Sequence, residues 1–333
     1  VGPRLGELKR LYALYGVLRA ARSERHALDF ETEESAADFA ADGEIIGFHV
    51  RDHNDAHRII EECMLVANVC AAQFAIAKKQ TTLFRVHGEP EQTKLNDLKS
   101  ILAGFGISFK LKGSENLAPV LAKLIEDTKD KPYLQTAILR TMQRACYQPE
   151  NIGHFGLAAN YYTHFTSPIR RYPDLQIHRI IKDNLRGRMN EAKREHYEAI
   201  LPEGTKQASE RERRAEEAER ETVKLKKVEY MAAHIGEVQS GIISSITGWG
   251  MYVELDNTVE GLVHVMNMTD DHYDYVKERH EMVGVHTGIT YKLGQRIFVR
   301  VIGTDKVLRT IDFEIANEGD IENGKDEWET DRQ

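Results

Sequence analysis

Two adjacent arginines are the side chains of this sequence best suited to bind a phosphate group. Arg170 and Arg171 follow the tripeptide Thr-Ser-Pro, lie among aromatic residues and precede a segment with a helical pattern. Pro168 fixes its own φ angle and pushes Ser167 into an extended conformation, so the backbone just before the arginines is stiff. Planar guanidinium groups on a stiff backbone suit bidentate recognition of phosphate. The pattern alone equally allows a turn followed by a solvated, basic helix start.

A second group of side chains with metal-binding potential lies in RDHNDAHRIIEE, residues 51–62. His53 and His57 are four residues apart, and carboxylates lie nearby. A tetrahedral zinc site needs a third and a fourth ligand at a matching spacing, and we find none. We therefore interpret this block as the capped start of a helix with a polar face, and we predict no metal site in the chain.

Composition limits the class of protein. The 333 residues, 41% of them hydrophobic, allow a sizeable core and predict two domains. We find no run that approaches 18 uncharged apolar residues and no signal-peptide pattern at the N-terminus, so we predict no membrane span. The cysteines Cys63, Cys70 and Cys146 form no CxxC pair, which favours buried free thiols in a reducing compartment. The predicted location is the cytoplasm.

The distribution of charge is compatible with a nucleic-acid partner, although the formal net charge is -8. Residues 314–333 hold eight acidic and two basic side chains, which accounts for most of the excess. Residues 161–230 hold sixteen Lys or Arg against thirteen Asp or Glu. The local field matters more than the total charge.

Helical patterns precede strand patterns along the chain. The predicted helices cover residues 4–25, 55–79, 92–103, 117–126 and 133–146, followed by one helix on each side of Pro202. The second of these two opens at Ser209, with Glu212 three residues later as in a capping box. Short strands are predicted within residues 26–51. After Ile235, five short strands broken by Gly and Asn predict a small barrel.

Several blocks, in one order, resemble the ribonuclease II / ribonuclease R (RNB) family of 3′→5′ exoribonucleases, and the ribonuclease R branch in particular. They are residues 51–72, 84–90, 139–158, 154–182 and 209–221, and the resemblance extends over nearly the whole chain outside the acidic tail. The barrel resembles an S1 domain, an RNA-binding variant of the OB fold. The resemblance implies an α+β fold with three parts: residues 1–232 as the C-terminal portion of the RNB catalytic domain, 233–316 as the S1 domain, and 317–333 as a disordered acidic tail.

The resemblance also implies roles for single residues of the first part. Arg170 would contact the phosphate at the scissile 3′ end, next to the RNA-contacting Ser167, with Arg171 close by or bracing the fold. Glu219 would lie near the terminal nucleotide and accept from ribose hydroxyls, unless it forms a helix-surface ion pair. Phe30 would stack on the last bases, unless it is an ordinary core residue of a strand. Tyr172, Asp174 and His178 are expected to be structural, with Asp174 paired to either arginine.

In the barrel, the resemblance assigns Trp249, Tyr252 and His264 to the RNA-facing surface. Tyr273 and Arg300 are expected to add stacking and phosphate contacts. The alternative is that some of these aromatic residues fill the core of a small barrel.

The family's reaction is Mg²⁺-assisted hydrolysis, with metal ligands in an aspartate cluster of which this chain contains no counterpart. We therefore expect the Mg²⁺ ligands outside this chain, which would be the C-terminal part of a larger protein and inactive alone. Its expected partners are single-stranded RNA, the missing N-terminal part of the enzyme and a regulatory protein. Two other hypotheses are a catalytically inactive RNA-binding relative and a protein-interaction fragment.

Overall fold

The structure, a computed structural model, describes residues 2–30, 34–109, 117–277 and 279–320. It confirms the predicted α+β class, with a helix-rich first part followed by a β-barrel. The helices are α1 (Leu5–Glu24), α2 (Asp55–Ala77), α3 (Gln92–Gly104), α4 (Leu117–Asp127), α5 (Pro132–Thr141), α6 (Tyr172–Leu185) and α7 (Glu191–Met231). Most of the predicted tail, residues 321–333, lies outside the described residues.

The strands form two antiparallel pairs, a barrel and a small additional sheet. They are β1 (Ser35–Phe39), β2 (Ile45–Val50), β3 (Phe84–Val86), β4 (Cys146–Gln148), β5 (Val238–Thr247), β6 (Gly250–Leu255), β7 (Glu260–His264), β8 (Tyr273–Val276), β9 (Glu281–Gly284), β10 (Thr290–Lys292), β11 (Arg296–Asp305) and β12 (Thr310–Ala316). β1 pairs with β2 and β3 with β4, while β8, β9 and β10 form the small sheet.

The barrel is closed by five strands in the order β11-β12-β7-β6-β5, as the sequence predicts. Its strands alternate between core and surface, so that on β6 Met251 and Val253 are buried while Tyr252 points outward. Phe313 fills the centre and is fully buried. Gly261 leaves room for this ring, because a Cβ at that position would overlap it.

Two apolar clusters organise the helical part. In one, α3, α4 and α5 pack together around fully buried leucines such as Leu98, Leu121 and Leu134. In the other, α2, α6 and the first half of α7 pack on strand β4, with Tyr147 and Leu201 in the contact. The second cluster supports the segment that carries the paired arginines.

Helix α2 is a packed element of this fold, although among the described residues it is the helix whose length and composition would allow it to cross a membrane. Asn54 caps it by accepting from the Ala56 N–H, as predicted. Its buried side carries Glu62 and Asn68, and both make hydrogen bonds to neighbouring elements. Without these neighbouring elements, the side chains of Glu62 and Asn68 would have no hydrogen-bond partners in the hydrocarbon of a membrane.

The prediction of two helices around Pro202 is wrong, because α7 runs without a break for 41 residues. A proline inside a helix removes one backbone hydrogen bond and costs about 3 kcal/mol. Here Pro202 is exposed while Leu201 and Thr205 beside it are buried, and the Thr205 hydroxyl donates to the Leu201 carbonyl at 2.8 Å. Packing of this buried side against α2 and α6 offsets the lost hydrogen bond.

The prediction of a capping box at Ser209 is therefore wrong, because Ser209 lies in the middle of α7. Ser209 and Glu212 instead bond to residues outside this helix. The Ser209 hydroxyl accepts from the Tyr147 N–H at 2.9 Å, and Glu212 forms an ion pair with Arg85. Both contacts attach α7 to the β3-β4 pair. The sequence pattern of a cap is local, whereas these partners lie more than 60 residues away.

The helix predicted over residues 133–146 is shorter than expected. It ends at Thr141, because Met142 adopts an extended conformation, and Cys146 then begins β4. All three cysteines are free, as expected, but Cys63 and Cys146 are half-buried and Cys70 is exposed, so the expectation that the thiols are buried is wrong.

The barrel packs against the end of α7 and the β1-β2 hairpin. Val228 and Met231 of α7 and Phe48 of β2 belong to the barrel's core cluster. The Lys227 ammonium donates to the Thr258 carbonyl at 2.6 Å. The helical part and the barrel thus share one continuous apolar core at their junction.

Substituting Gly250 by alanine should destabilise the barrel by about 1–3 kcal/mol. Gly250 has a φ of +150°, and a Cβ there would overlap the carbonyl oxygen of Val263. Gly303→Ala is the matched control on β11, since its Cβ would have its nearest neighbour at 3.9 Å. Urea unfolding measures both variants. Equal unfolding midpoints for the two variants would contradict this explanation.

Candidate nucleic-acid interface

The two adjacent arginines occupy different environments. The predicted turn is confirmed: the Ser167 carbonyl accepts from the N–H groups of Arg170 and Arg171 at 3.3 and 3.0 Å, and α6 then begins at Tyr172. The Arg170 side chain is exposed, and we find no hydrogen bond or ion pair from it to the described part of the chain. The Arg171 side chain is only 16% exposed and pairs with Asp174 at 2.8 Å. Arg170 is therefore available for a ligand, and Arg171 braces the fold.

Asp174 holds the turn from inside the protein. Its side chain is fully buried, and its Oδ1 accepts from the Ser167 N–H and from the Arg171 guanidinium, both at 2.8 Å. The ring of His178 stacks on Phe165 at 4.2 Å and its Nε2 lies 2.9 Å from the Phe165 carbonyl oxygen. Both contacts are structural, as predicted, and the pairing of Asp174 is with Arg171.

A network of aromatic and charged side chains links this turn to α7. His164 Nδ1 lies 2.8 Å from the Tyr147 hydroxyl, which also donates to Glu212 at 3.3 Å. The guanidinium of Arg85 lies over the Tyr147 ring at 4.5 Å and pairs with Glu212. The side of α7 that carries Glu212 is therefore the side that faces the arginine turn.

Glu219 lies on that same side of α7. It follows Glu212 by seven residues, which is two helical turns, about 10 Å farther along the axis. Its side chain is exposed, and we find no ion pair from it to the part of the chain that the structure describes. The alternative of a helix-surface ion pair is thus not what the structure contains.

Phe30 lies at the wall of a cleft of about 830 Å³ between α1, α2 and α5. It is half-buried and packs against the α3-α4-α5 cluster, and residues 27–30 are irregular rather than the strand expected. A second cavity of about 470 Å³ lies between α2 and the arginine turn and includes Arg171 and His164. His57 and Glu61 line both spaces, so the cleft at Phe30 and the cavity at the turn adjoin along α2.

Sequence reasoning missed the importance of this side of α2. The interpretation of His57, Glu61 and Glu62 as a polar face is incomplete, because Glu61 and Glu62 accept hydrogen bonds from the buried Arg22 at 3.0 and 2.9 Å. The signal in the sequence was the density of titratable residues in one block. It could not identify Arg22 as the partner, because this arginine looks like one of several basic residues at the end of α1.

The described residues do not provide a metal centre. Among them, no three side chains of His, Cys, Asp or Glu lie close enough together to hold an ion. The imidazoles of His53 and His57 are 5.7 Å apart, and His57 Nδ1 lies 3.1 Å from the Asn54 side-chain oxygen. Of the carboxylates that line the cleft at Phe30, Asp29 and Glu61 are paired with Arg22.

On the barrel, Trp249, Tyr252 and His264 form a surface patch. Trp249 is 53% exposed, and its indole N–H donates to the Tyr252 hydroxyl at 3.4 Å. Tyr252 occupies an outward position of β6, and His264 pairs in register with Gly250, next to Trp249. These residues lie on the surface and not in the core, which leaves stacking faces available to a ligand.

Tyr273 and Arg300 do not join this patch. Tyr273 is only 4% exposed, donates to Asp270 at 2.7 Å and packs on Tyr291, so the prediction that it stacks on RNA is wrong. Arg300 pairs in register with Val238 at the start of β5, whereas Trp249 follows the end of that strand. Its guanidinium pairs with Glu314 at 3.2 Å, which neutralises the charge expected for a phosphate contact.

The histidines behind the arginine turn are held neutral. Burial, followed by the nearby charges of Arg171 and Arg85, lowers the pKa of His164 to about 2. Burial, then His87 and Arg85, lowers the pKa of His154 to about 3. A second positive charge is thereby avoided beside Arg171.

Comparison with known proteins agrees with these features. The RNB domain family matches residues 4–187, and the S1 RNA binding domain family matches residues 233–316. Ribonuclease R of Escherichia coli (strain K12) is 41% identical over 328 residues, which cover 95% of this chain and 40% of the relative. Ribonuclease R of Aquifex aeolicus (strain VF5) is 39% identical over 319 residues, covering 94% and 45%. The chain thus spans less than half the length of these relatives.

The fold is also similar to a solved structure, Mycoplasma genitalium RNase R in complex with ribose methylated single-stranded RNA. The TM-score is 0.86 at 26% identity, and the match covers 94% of this chain and 50% of that one. The similarity extends through both the helical part and the barrel.

The free energy of unfolding should fall as the pH is lowered from about 6.5 towards 4. An unfolded histidine takes up a proton near pH 6.5, whereas His154 and His164 stay neutral in the folded protein until about pH 3 and 2. The unfolded state then binds more protons, so stability is lost by up to about 1.4 kcal/mol per pH unit for each histidine.

Urea unfolding at several pH values measures this slope. His164→Gln should flatten it, whereas His272→Gln, at an exposed barrel position, should not. An unchanged slope in His164→Gln would show that the neutral imidazole contributes nothing to the pH dependence.

Proposed function

Because the chain belongs to the RNB family, we propose that it is the part of a hydrolytic 3′→5′ exoribonuclease that holds the 3′ end of the RNA. The observation that carries this proposal is the position of two adjoining spaces along α2, the cleft at Phe30 and the cavity under the arginine turn, with His57 and Glu61 lining both. Arg170, exposed at that turn, supplies the unpaired cation. The three cysteines are free, which fits the reducing cytoplasm that we propose as its location.

The proposed path begins at the barrel, where Trp249, Tyr252 and His264 bind single-stranded RNA by stacking without sequence preference. The 3′-terminal bases stack on Phe30, and the scissile phosphate is bound by Arg170. A guanidinium at this position stabilises the charge that develops on the attacked phosphate. Glu219 accepts from ribose hydroxyls, which distinguishes RNA from DNA. The products are nucleoside 5′-monophosphates, and Ser167 shapes the turn through its backbone.

Mg²⁺ would supply activation of the attacking water and stabilisation of the leaving oxygen in such a reaction. The described residues do not fit such an ion, since they contain no cluster of three suitable ligands. We propose that the Mg²⁺ ligands belong to the part of the longer relatives that this chain does not span.

We also propose that the rest of the enzyme packs on α1. Six large apolar side chains of this helix are between 38% and 67% exposed: Leu5, Leu8, Leu11, Tyr12, Leu14 and Val17. An apolar surface of this extent is typical of an interface. The alternative function, an RNA-binding relative without catalysis, is favoured by the combination of a complete barrel patch and no metal site in the described residues.

The isolated chain should bind single-stranded RNA but release no mononucleotides with Mg²⁺. Affinity should fall as salt rises, because phosphate contacts displace counterions. Fluorescence anisotropy at several salt concentrations measures the first result, and chromatography of incubated RNA the second. Trp249→Ala should weaken RNA binding by about 1–3 kcal/mol, the contribution of one base–aromatic stack. Val307→Ala, exposed elsewhere on the barrel, is the control. Mg²⁺-dependent mononucleotide release by the pure chain would contradict the placement of the metal ligands.

In a full-length protein that contains this chain, Arg170→Ala should lower kcat by about 10²–10³-fold, with a much smaller effect on RNA affinity. The reason is that the guanidinium acts on charge that appears mainly in the transition state. Single-turnover kinetics separates turnover from binding. Arg186→Ala, exposed at the end of α6, is the control. A loss of affinity with unchanged turnover would contradict the assigned role.

A further inference from the structure

The most heavily paired charge of the described residues is Arg22 on α1. It is 8% exposed, and its guanidinium lies 3.2 Å from Asp29, 3.0 Å from Glu61 and 2.9 Å from Glu62. Arg19, one turn earlier, also pairs with Asp29 and lies 3.6 Å from Glu62. Burial of a charge is costly unless partners satisfy it, so this cluster is a specific arrangement and not a solvated face.

Two of these three carboxylates, Glu61 and Glu62, attach α2 to α1 through Arg22. The third carboxylate, Asp29, lies on the irregular segment that returns along α1 and directly precedes Phe30. This segment is anchored at Leu28, which is buried and whose N–H donates to the Gly156 carbonyl at 2.8 Å. Asp29 is thus the last polar anchor before the Phe30 ring.

Arg22 also forms the wall between two spaces. It lines the 830 Å³ cleft together with Asp29, Phe30 and Glu61, and on its other side it lines a cavity of about 330 Å³ together with Glu62. Its Nε is buried, and no hydrogen-bond partner for it is found among the described residues. The guanidinium therefore lies between the cleft that contains Phe30 and the smaller cavity.

We propose that Arg22 is a positioning residue that holds Phe30, through Asp29, as the stacking surface for the terminal base. This inference rests on the proposed function. A stacking ring contributes most when its own position is fixed before the ligand binds, because less freedom is then lost on binding. A forked guanidinium can bond three carboxylates on two separate segments at once, so lysine would replace it incompletely.

The test is a double-mutant cycle on RNA affinity with the chain as it is, using fluorescence anisotropy and a single-stranded oligoadenylate with a free 3′ end. Phe30→Ala should lower affinity about 5- to 150-fold, the range of one base–aromatic stack. Arg22→Met and Asp29→Asn should each give a similar loss. Neither should weaken binding further when combined with Phe30→Ala, because they act through the same ring. Arg22→Lys should recover part of the affinity.

Arg10→Met, exposed on the same helix, is the control and should bind as the unaltered chain does. Asp29→Asn keeps the side-chain shape and leaves Arg22 paired with Glu61 and Glu62, so it carries the test if Arg22→Met does not fold. Folding of each variant is checked by circular dichroism and urea unfolding.

The outcomes separate this inference from the function on which it rests. If Phe30→Ala leaves affinity unchanged while Trp249→Ala lowers it, Phe30 is not a stacking surface. The stacking role proposed for Phe30 and the positioning role proposed for Arg22 are then both wrong. If Phe30→Ala lowers affinity but Asp29→Asn does not, the positioning role of Arg22 is wrong and the stacking role stands. Losses that simply add in the double variants would likewise overturn the positioning role.

Discussion

The continuity of α7 through Pro202 is the constraint on which the arrangement of the molecule depends. One end of this helix packs beside the arginine turn, with Leu201 in the apolar cluster and Glu212 in the Tyr147 network. The other end places Val228 and Met231 in the core of the barrel. A rigid helix of 41 residues is about 60 Å long. It therefore sets the separation between the arginine turn and the aromatic patch of the barrel, and the exposed Glu219 lies between them.

A recurring feature of the helical part is an ion pair with one buried member, located directly beside a residue that is exposed or lines a cleft. Arg171 pairs with the buried Asp174, and its neighbour Arg170 is exposed. Asp29 pairs with Arg22, and the next residue is Phe30. Truncating one member of a buried pair leaves an uncompensated charge, which is far more costly than losing a surface pair. Such pairs are therefore well suited to hold an adjacent functional side chain in one place.

Much of the fold could be predicted, because helical and strand periodicities are local. The starts of α2 and α4 and the five-stranded barrel follow from spacing, capping and alternation. The errors have one physical origin, which is the dominance of distant contacts over local preference. Pro202 does not break α7 because the helix is packed on its buried side, and Ser209 is not a cap because it bonds a strand 62 residues earlier. Tyr273 is buried because β8 belongs to a small sheet that the periodicity did not predict as separate.

The sequence by itself determined the family, the order of the two parts and the residue types able to bind phosphate and bases. The order of the parts and the chemistry of the residue types are properties of the amino-acid sequence and do not depend on which side chains meet in space. Only the tertiary structure decided which of two identical neighbours, Arg170 or Arg171, is free. It also decided that Arg300 is neutralised and that Arg22 is tied to three carboxylates from two separate segments. Pairing and burial depend on which side chains meet in space, and those partners are remote in sequence.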